Sequence, residues 1–487
     1  MQGEGARDAL SRAFVEGLEL GSPDPSLLAM VGEPDPPGAA LAFARAAQHP
    51  DLAPGIAHWA PVLLRAARPG FAAARLHELA AAHQEAFGAP LDPVKSPGLL
   101  AVLGASNFLA RLLIRRPGLT RELPGPIPEP PSETPDCSWS AIRLAKYRGL
   151  LRIAARDLLG RPFRESPREL SDLADRCLEA AMGCAADETG VAPATLLALG
   201  KLGGRELNFS SDVDLIFLYE AQSEEGDAAR NAEVTRLVRA FKAGLEQPTE
   251  EGFAYRVDLD LRPEGPQGAL ANSVNAALDY YESFGKEWER QMLIRLRFVA
   301  GPEAPAQRFE REIAPFVFRR LIDPGVALAV RAMKTRIEDE RRRAGRDIEA
   351  DLKEGPGGIR DVEFLVQALQ LFHGGRLEAL RGGSVLEVLG LLGRLALLPD
   401  RARVDLSHAY TWLRRAEHAL QMVEERQTQG FPRERFGQIA LARRMGYDEP
   451  EGERARERLL KDWSRVRSEV RAQFEALLPG EGDDAAA

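Results

Sequence analysis

The chain has 487 residues, 45% hydrophobic and 28% charged, with 64 Lys and Arg against 73 Asp and Glu, a net charge of −9. That length corresponds to roughly two to four domains with an ample core, so no disulfide or metal staple is needed for stability. The acidic balance argues against a general nucleic-acid binder. Three cysteines without a CxxC pair (Cys137, Cys177, Cys184) exclude a Cys-rich zinc module and fit a reducing cytosol.

The first twenty residues carry acids early and lack an uninterrupted apolar stretch, unlike a secretory signal. Nowhere do about 18 apolar residues run without a charge, so a soluble, cytoplasmic protein without membrane spans is expected. Residues 26–120 are rich in Ala, Leu and Arg at helical spacing, as in Phe71, Leu76, Leu79 and Ala80. Six prolines (124, 126, 128, 130, 131 and 135) follow, and their fixed φ and missing donors predict an extended connector and a boundary near residue 138. A long helical stretch is predicted over 140–187. On it Arg148, Arg152 and Arg156 recur at every fourth position, either as a solvated face or as a cationic ridge turned to a phosphate. Cys177 and Cys184, seven apart, share a helical face and read as core.

The pattern then changes. Segments 195–200 (TLLALG), 213–219 (VDLIFLY) and 255–262 (YRVDLDLR) read as strands, with a helix over about 229–246. Helical spacing returns over 304–320, 327–344, 360–373, 385–396, 404–426 and 452–477. A small sheet is therefore expected inside a mainly helical protein.

The chemistry concentrates in LALGKLGGRELNFSSDVDLIFLYE, residues 197–220. Asp212 and Asp214, two apart on a strand, share a face. Two carboxylates on one face repel unless a cation neutralises them, and Mg²⁺ takes such oxygen ligands. Gly203 and Gly204 would let backbone N–H groups approach an anion, Ser211 would add a hydroxyl and Lys201 a charge. Asp258, 44 residues after Asp214, lies in a second acidic strand. The three acids could hold two Mg²⁺ ions for phosphoryl transfer, one bridged by all three and the other holding a triphosphate. Neither a P-loop nor a dinucleotide-binding glycine motif is present, and the seven histidines are scattered.

GKLGGRELNFSSDVDLIFLY resembles the nucleotidyltransferase motif of the glutamine synthetase adenylyltransferase/adenylyl-removing enzymes, a branch of the polymerase-β-like superfamily. The blocks RVDLDLRPEGPQGALANS, YYESFGKEWERQMLIRLRFVAG, DLKEGPGGIRDVEFLVQALQLFHGG and LRRAEHALQMVEERQTQGFP follow in the same order. The resemblance implies an α+β, mainly α-helical fold. A small mixed β-sheet nucleotidyltransferase palm (139–302) would stand between N-terminal helices with their Pro-rich linker (1–138) and connecting helices (303–350) leading to a C-terminal helical bundle (351–487). It implies AMP transfer at a tyrosine of glutamine synthetase, by attachment from ATP or by phosphorolytic removal to ADP, regulating nitrogen assimilation. Implied partners are glutamine synthetase, the PII signalling protein and a second catalytic half, because members carry two halves and this chain has room for one. GGIRDVEF, HGG and EERQTQGFP resemble the removing half. Arg262 matches a family arginine and would bind substrate. Asp260 stands where the family usually has arginine; it is expected to share a face with Asp258, which gives the site an extra negative charge and one fewer phosphate partner. Two competing readings are a catalytically silent adaptor for glutamine synthetase or PII, and an adenylyltransferase of another protein.

Two further segments stand out. Trp288 reads as core, with Arg290, Arg295 and Arg297 as phosphate grips or ion-pair partners. Gly355–Gly358 enters a helix whose N-terminus could hold phosphate or simply be capped.

Overall fold

A computed structural model describes residues 2–125, 127–221, 224–321, 325–345 and 347–478. It is mainly helical around one small mixed sheet, the α+β class expected. The N-terminal helices start on side chains suited to the task. Asp24 accepts from Ser26 N–H, Asp35 from Gly38 N–H and Ser106 from Leu109 N–H, each satisfying a donor that the first helical turn leaves free. Leu76, Leu79 and Ala80 are fully buried along the helix Pro69–Phe87, and Trp59 stacks on Phe43 while its indole N–H donates to Leu52 O at 2.9 Å.

The predicted stretch 140–187 is two helices, Trp139–Leu158 and Glu165–Thr189. Gly160, at φ +93°, and Pro162 break them. The arginine ridge is neither a solvated face nor a phosphate surface. Arg148 meets Glu122 at 2.7 Å and Glu133 at 3.1 Å, Arg152 meets Glu122 at 2.6 Å, and Arg156 meets Glu169 at 3.0 Å and the carbonyl of Pro128 at 3.3 Å. The ridge thus grips the proline-rich connector, supplying the hydrogen bonds that proline cannot. Of the six prolines, Pro126 lies outside the described residues.

The sheet comprises β1 (Thr195–Ala198), β2 (Val213–Tyr219), β3 (Val257–Asp258), β4 (Asn272–Ser273) and β5 (Arg297–Ala300). β1 pairs antiparallel with β2 and β5; β2 pairs parallel with β3 at its start and with β4 at its end. The strands alternate between two cores. Leu196, Ala198, Leu215, Phe217, Val257 and Leu259 join the N-terminal helices. Leu197, Leu199, Ile216 and Leu218 join the C-terminal helices. Both faces are covered, which is why β1 and β2 read as continuous apolar runs.

The strand predicted over 255–262 shrinks to two residues, because the chain turns after Asp258. β4 and β5 were not foreseen; at two and four residues they are too short for periodicity to mark. The C-terminal helices are Glu303–Val317, Gly325–Arg343, Ile359–His373, Val385–Arg394, Asp400–Gln421, Arg435–Arg444 and Gly452–Leu477; that over Arg435–Arg444 was not predicted. Trp288 is only half-buried. Arg290 beside it is the buried residue, donating to the carbonyls of Phe316 at 3.1 Å and Val317 at 3.3 Å. Among the described residues no helix is long and apolar enough to cross a membrane.

Candidate active site

β1 ends at Ala198, and one helical turn (Gly200–Gly203) redirects the chain towards β2. β2 and β3 run parallel with Asp214 opposite Asp258. Residues in register on neighbouring parallel strands lie roughly 5 Å apart and point the same way. Val213 and Val257 belong to the N-terminal core, so the two aspartates face the opposite side, the one covered by the C-terminal helices.

The Asp214 carboxylate accepts no hydrogen bond from any described residue. Burial and, next, the charge of Asp258 push it up to about 6, against the pull of Lys353 and Lys201. Gly200 makes its position possible. This residue has φ +53°, and a Cβ there would lie 2.1 Å from Asp214 Oδ2. Gly200 therefore seats the acid, a role that sequence reasoning gave to no residue; a glycine closing an apolar strand was the available signal.

The paired glycines serve packing. A Cβ on Gly203 would meet the carbonyl oxygen of Arg295 at 1.9 Å, and one on Gly204 would come within 3.3 Å of the Arg295 side chain. The turn thus lies against the residues just before β5 instead of opening a backbone cradle. The hydroxyl of Ser211 accepts from Asn208 N–H at 3.1 Å and shapes the approach to β2. Asp212 is held by Arg256 Nε at 2.5 Å, and Arg256 also donates to the Ser210 carbonyl at 3.1 Å. Asp212 still raises Asp214, so it stands within electrostatic reach.

Arg262 is buried and donates to the carbonyls of Leu259 at 2.8 Å, Pro266 at 2.9 Å, Gly268 at 2.9 Å and Ala269 at 3.0 Å. It ties the loop after β3 together with its whole fork. Asp260 does not share a face with Asp258, since β3 has ended. Its side chain is exposed, and its N–H donates to Asp258 Oδ1 at 2.8 Å.

Lys201 points into the C-terminal side, 3.0 Å from Glu417, which is fully buried. Burial lowers Lys201 to about 8. Burial works to raise Glu417, but Lys201 and Arg414 outweigh it and hold that carboxyl at about 2. Arg414 joins Asn208 at 2.6 Å and the Tyr410 hydroxyl at 2.7 Å. Arg295 bridges Glu206 at 3.3 Å and Glu363 at 3.5 Å. This buried network locks the 200–211 turn onto the helices Ile359–His373 and Asp400–Gln421. The sequence reading gave no role to Glu206, Arg256, Arg414 or Glu417. The glycine-rich entry at Gly355–Gly358 is closed by side chains of two helices: Gly357 N–H donates to Asp361 at 2.7 Å, and Arg467 donates to the Pro356 carbonyl at 2.9 Å.

Among the described residues no three His, Cys, Asp or Glu side chains converge tightly enough to form a metal cage. Mg²⁺ rarely uses one. It binds through one or two carboxylates, with water and substrate phosphate completing its shell. The unpartnered Asp214 beside Asp258 fits that requirement. Asp212 is paired with Arg256 in this arrangement.

Residues 97–312 match the glutamate-ammonia ligase adenylyltransferase family model, and residues 331–478 match that of the GlnD PII-uridylyltransferase. Proteins called bifunctional glutamine synthetase adenylyltransferase/adenylyl-removing enzyme are similar over most of the chain. One from Nitrosococcus oceani is 39% identical over 72% of this chain and 39% of its own length. One from Thioalkalivibrio sulfidiphilus is 37% identical over 80% of this chain and 43% of its own length. One from Hahella chejuensis is 36% identical over 72% of this chain and 40% of its own length. The chain thus spans about two fifths of the length of these relatives. Residues 97–312, the part of the chain similar to the glutamate-ammonia ligase adenylyltransferase model, include all five strands and the three aspartates.

Proposed function

We propose that this chain is a cytoplasmic, Mg²⁺-dependent nucleotidyltransferase that moves AMP to or from a tyrosine of glutamine synthetase. The observation that carries the reading is the register of Asp214 with Asp258, where Asp214 accepts no hydrogen bond from any described residue, in a chain whose relatives bear that activity in their names. The blocks GGIRDVEF, HGG and EERQTQGFP favour removal. In that direction inorganic phosphate attacks the adenylyl phosphorus, a new P–O bond forms, the bond to the tyrosine oxygen breaks, and ADP results. In attachment the tyrosine oxygen attacks the α-phosphorus of ATP and pyrophosphate leaves. Both are in-line displacements at one phosphorus, so one set of acids serves both.

Asp214 and Asp258 would hold the metal, whose contribution when bound is neutralisation of charge at the reacting phosphate. Arg256 restrains Asp212, which completes a two-ion site only by leaving that partner. Lys201 keeps the 200–211 turn fixed through Glu417. Of the other residues proposed for binding, Gly203, Gly204 and Ser211 shape the same turn, and Arg262 the loop after β3. The match of residues 331–478 to a PII-uridylyltransferase model supports the PII protein as a regulatory partner, and a second catalytic half would supply the opposite reaction.

The test is incubation with adenylylated and with unmodified glutamine synthetase, in phosphate or ATP, followed by mass spectrometry. Loss or gain of one AMP group on the tyrosine is expected; no change on either form sinks the reading. A catalytically silent adaptor is the second reading, because Asp212 is tied to Arg256 and the acids do not close a three-carboxylate cage. Thermal stabilisation by ATP with Mg²⁺ decides against it.

A further inference from the structure

The cations around the acids are nearly all committed. Arg256 is bound to Asp212, Lys201 to Glu417, Arg295 to Glu206 and Glu363, and Arg262 to four loop carbonyls. Lys353 differs. Its side chain is half-buried and makes no hydrogen bond or ion pair with any described residue, yet its charge acts on Asp214, Lys201, Glu363 and Glu417.

The backbone around it is firmly placed. Lys353 N–H donates to Asp351 Oδ1 at 2.8 Å, and its carbonyl accepts from Arg360 N–H at 2.9 Å. The preceding Leu352 is fully buried in the C-terminal core, with its N–H bonded to the Gln429 carbonyl at 2.8 Å. That core lines the sheet face to which Asp214 and Asp258 point. An ammonium on a pinned backbone, within electrostatic reach of Asp214 but paired with no described acid, is built to meet an anion that arrives with the substrate.

We propose that Lys353, supplied by the loop before the helix Ile359–His373, binds the phosphate group that attacks or leaves: the incoming inorganic phosphate, which becomes the β-phosphate of ADP, or the β-phosphate of ATP. This rests on the nucleotidyltransferase reading above. It makes the C-terminal helical region part of the active site instead of an appendage to it, because the palm strands carry the acids and the bundle carries the cation for the non-transferred phosphate.

The experiment is calorimetric titration of the full chain with ADP and with AMP, each with Mg²⁺, for the wild type and for Lys353→Met, Lys353→Gln and Lys353→Arg. Loss of a charge-assisted contact to the β-phosphate should weaken ADP binding by Met and Gln roughly tenfold to a hundredfold. AMP binding should stay within about twofold, and Arg should restore most of the ADP affinity because the charge is kept. In steady state the Met variant should show a raised KM for phosphate with a smaller change in kcat. Unchanged ADP affinity in Met and Gln overturns the assignment, as does equal weakening of AMP. Loss of the cooperative thermal transition in both would make Lys353 structural and overturn it too. A wild-type chain that binds neither nucleotide, or an Asp214→Asn chain with full turnover, removes the underlying reading instead.

Discussion

The two faces of the central sheet solve opposite problems. On the N-terminal side Leu196, Ala198, Leu215 and Phe217 meet apolar helices. Burial there is its own reward, at about 25 cal/mol per Å² of apolar surface. On the C-terminal side β2 and β3 present Asp214 and Asp258, and just beyond them lie Lys201, Glu206, Arg295, Glu363, Arg414 and Glu417, all buried except the two aspartates and Lys201, which are half-buried. Replacing such buried pairs by apolar residues is often neutral or stabilising, so they are weak evidence for stability. Their persistence on one face points to positioning: they hold the turn that seats Asp214 against the bundle that carries Lys353.

The sharpest way to break this comparison is Asp214→Asn. Turnover should fall by at least about a thousandfold, the scale on which removing a central electrostatic group acts. Stability should move the other way. The folded carboxyl titrates at about 6 against an ordinary 3.8. An acid raised on folding favours the folded state only while protonated, so its cost appears as pH rises from about 4 to 6 and is complete above that. At pH 7 without metal, Asn should therefore gain up to about 3 kcal/mol. Added Mg²⁺ should raise the melting temperature of wild type and not of Asn. A metal-free Asn variant less stable than wild type at pH 7 contradicts the penalty that burial and the neighbouring Asp258 place on the Asp214 carboxylate.

Glu417→Ala comes next. It leaves Lys201 and Arg414 buried without their shared partner and should cost about 3–5 kcal/mol in urea unfolding. The Glu417 carboxyl is held at about 2 against 4.5. Its contribution is therefore complete above 4.5 and lost as pH falls towards 2, so the gap between wild type and variant should narrow over that window.

Gly200→Ala is a smaller change with a specific signature. The added methyl meets Asp214 Oδ2 on a backbone at φ +53°. A displacement of about 1 Å at the acid should lower kcat on the order of a hundredfold, with a stability loss of about 1–3 kcal/mol. Activity that survives intact would mean the carboxylate works from another position.

Arg152→Ala is the control from the other side of the molecule. It removes one of the two arginines that meet the buried Glu122, Arg148 remaining as the other, and should cost about 1–2 kcal/mol. Specific activity of the folded protein should not change. A large kinetic effect there would erase the distinction between the two faces.

Much of this was legible beforehand. β1 and β2 announced themselves through TLLA and VDLIFLY, since a strand covered on both faces must be apolar throughout. The spacing of Asp212 and Asp214, and the later Asp258, marked the acidic strands. Other features were illegible for identifiable reasons. The end of β3 depends on a turn clamped by Arg262, so Asp260 looked like a strand residue when it is an exposed bend. Gly203 and Gly204 looked like an anion cradle because a glycine pair does not say which backbone approaches it; here that of Arg295 does. Arg148, Arg152 and Arg156 repeat like a solvated face, and only the connector folded against them reveals their partners.

Local pattern was enough for what is local: the helical periods, the apolar strands, the proline break and the acidic residue types, because each depends on neighbours a few positions away. Tertiary structure alone decided which acids stand together, which cations are already taken, and that the charge of a lysine more than ninety positions after the last of the aspartates reaches Asp214. Those outcomes depend on contacts between segments far apart in the chain, and a single sequence records the charges without recording where they meet.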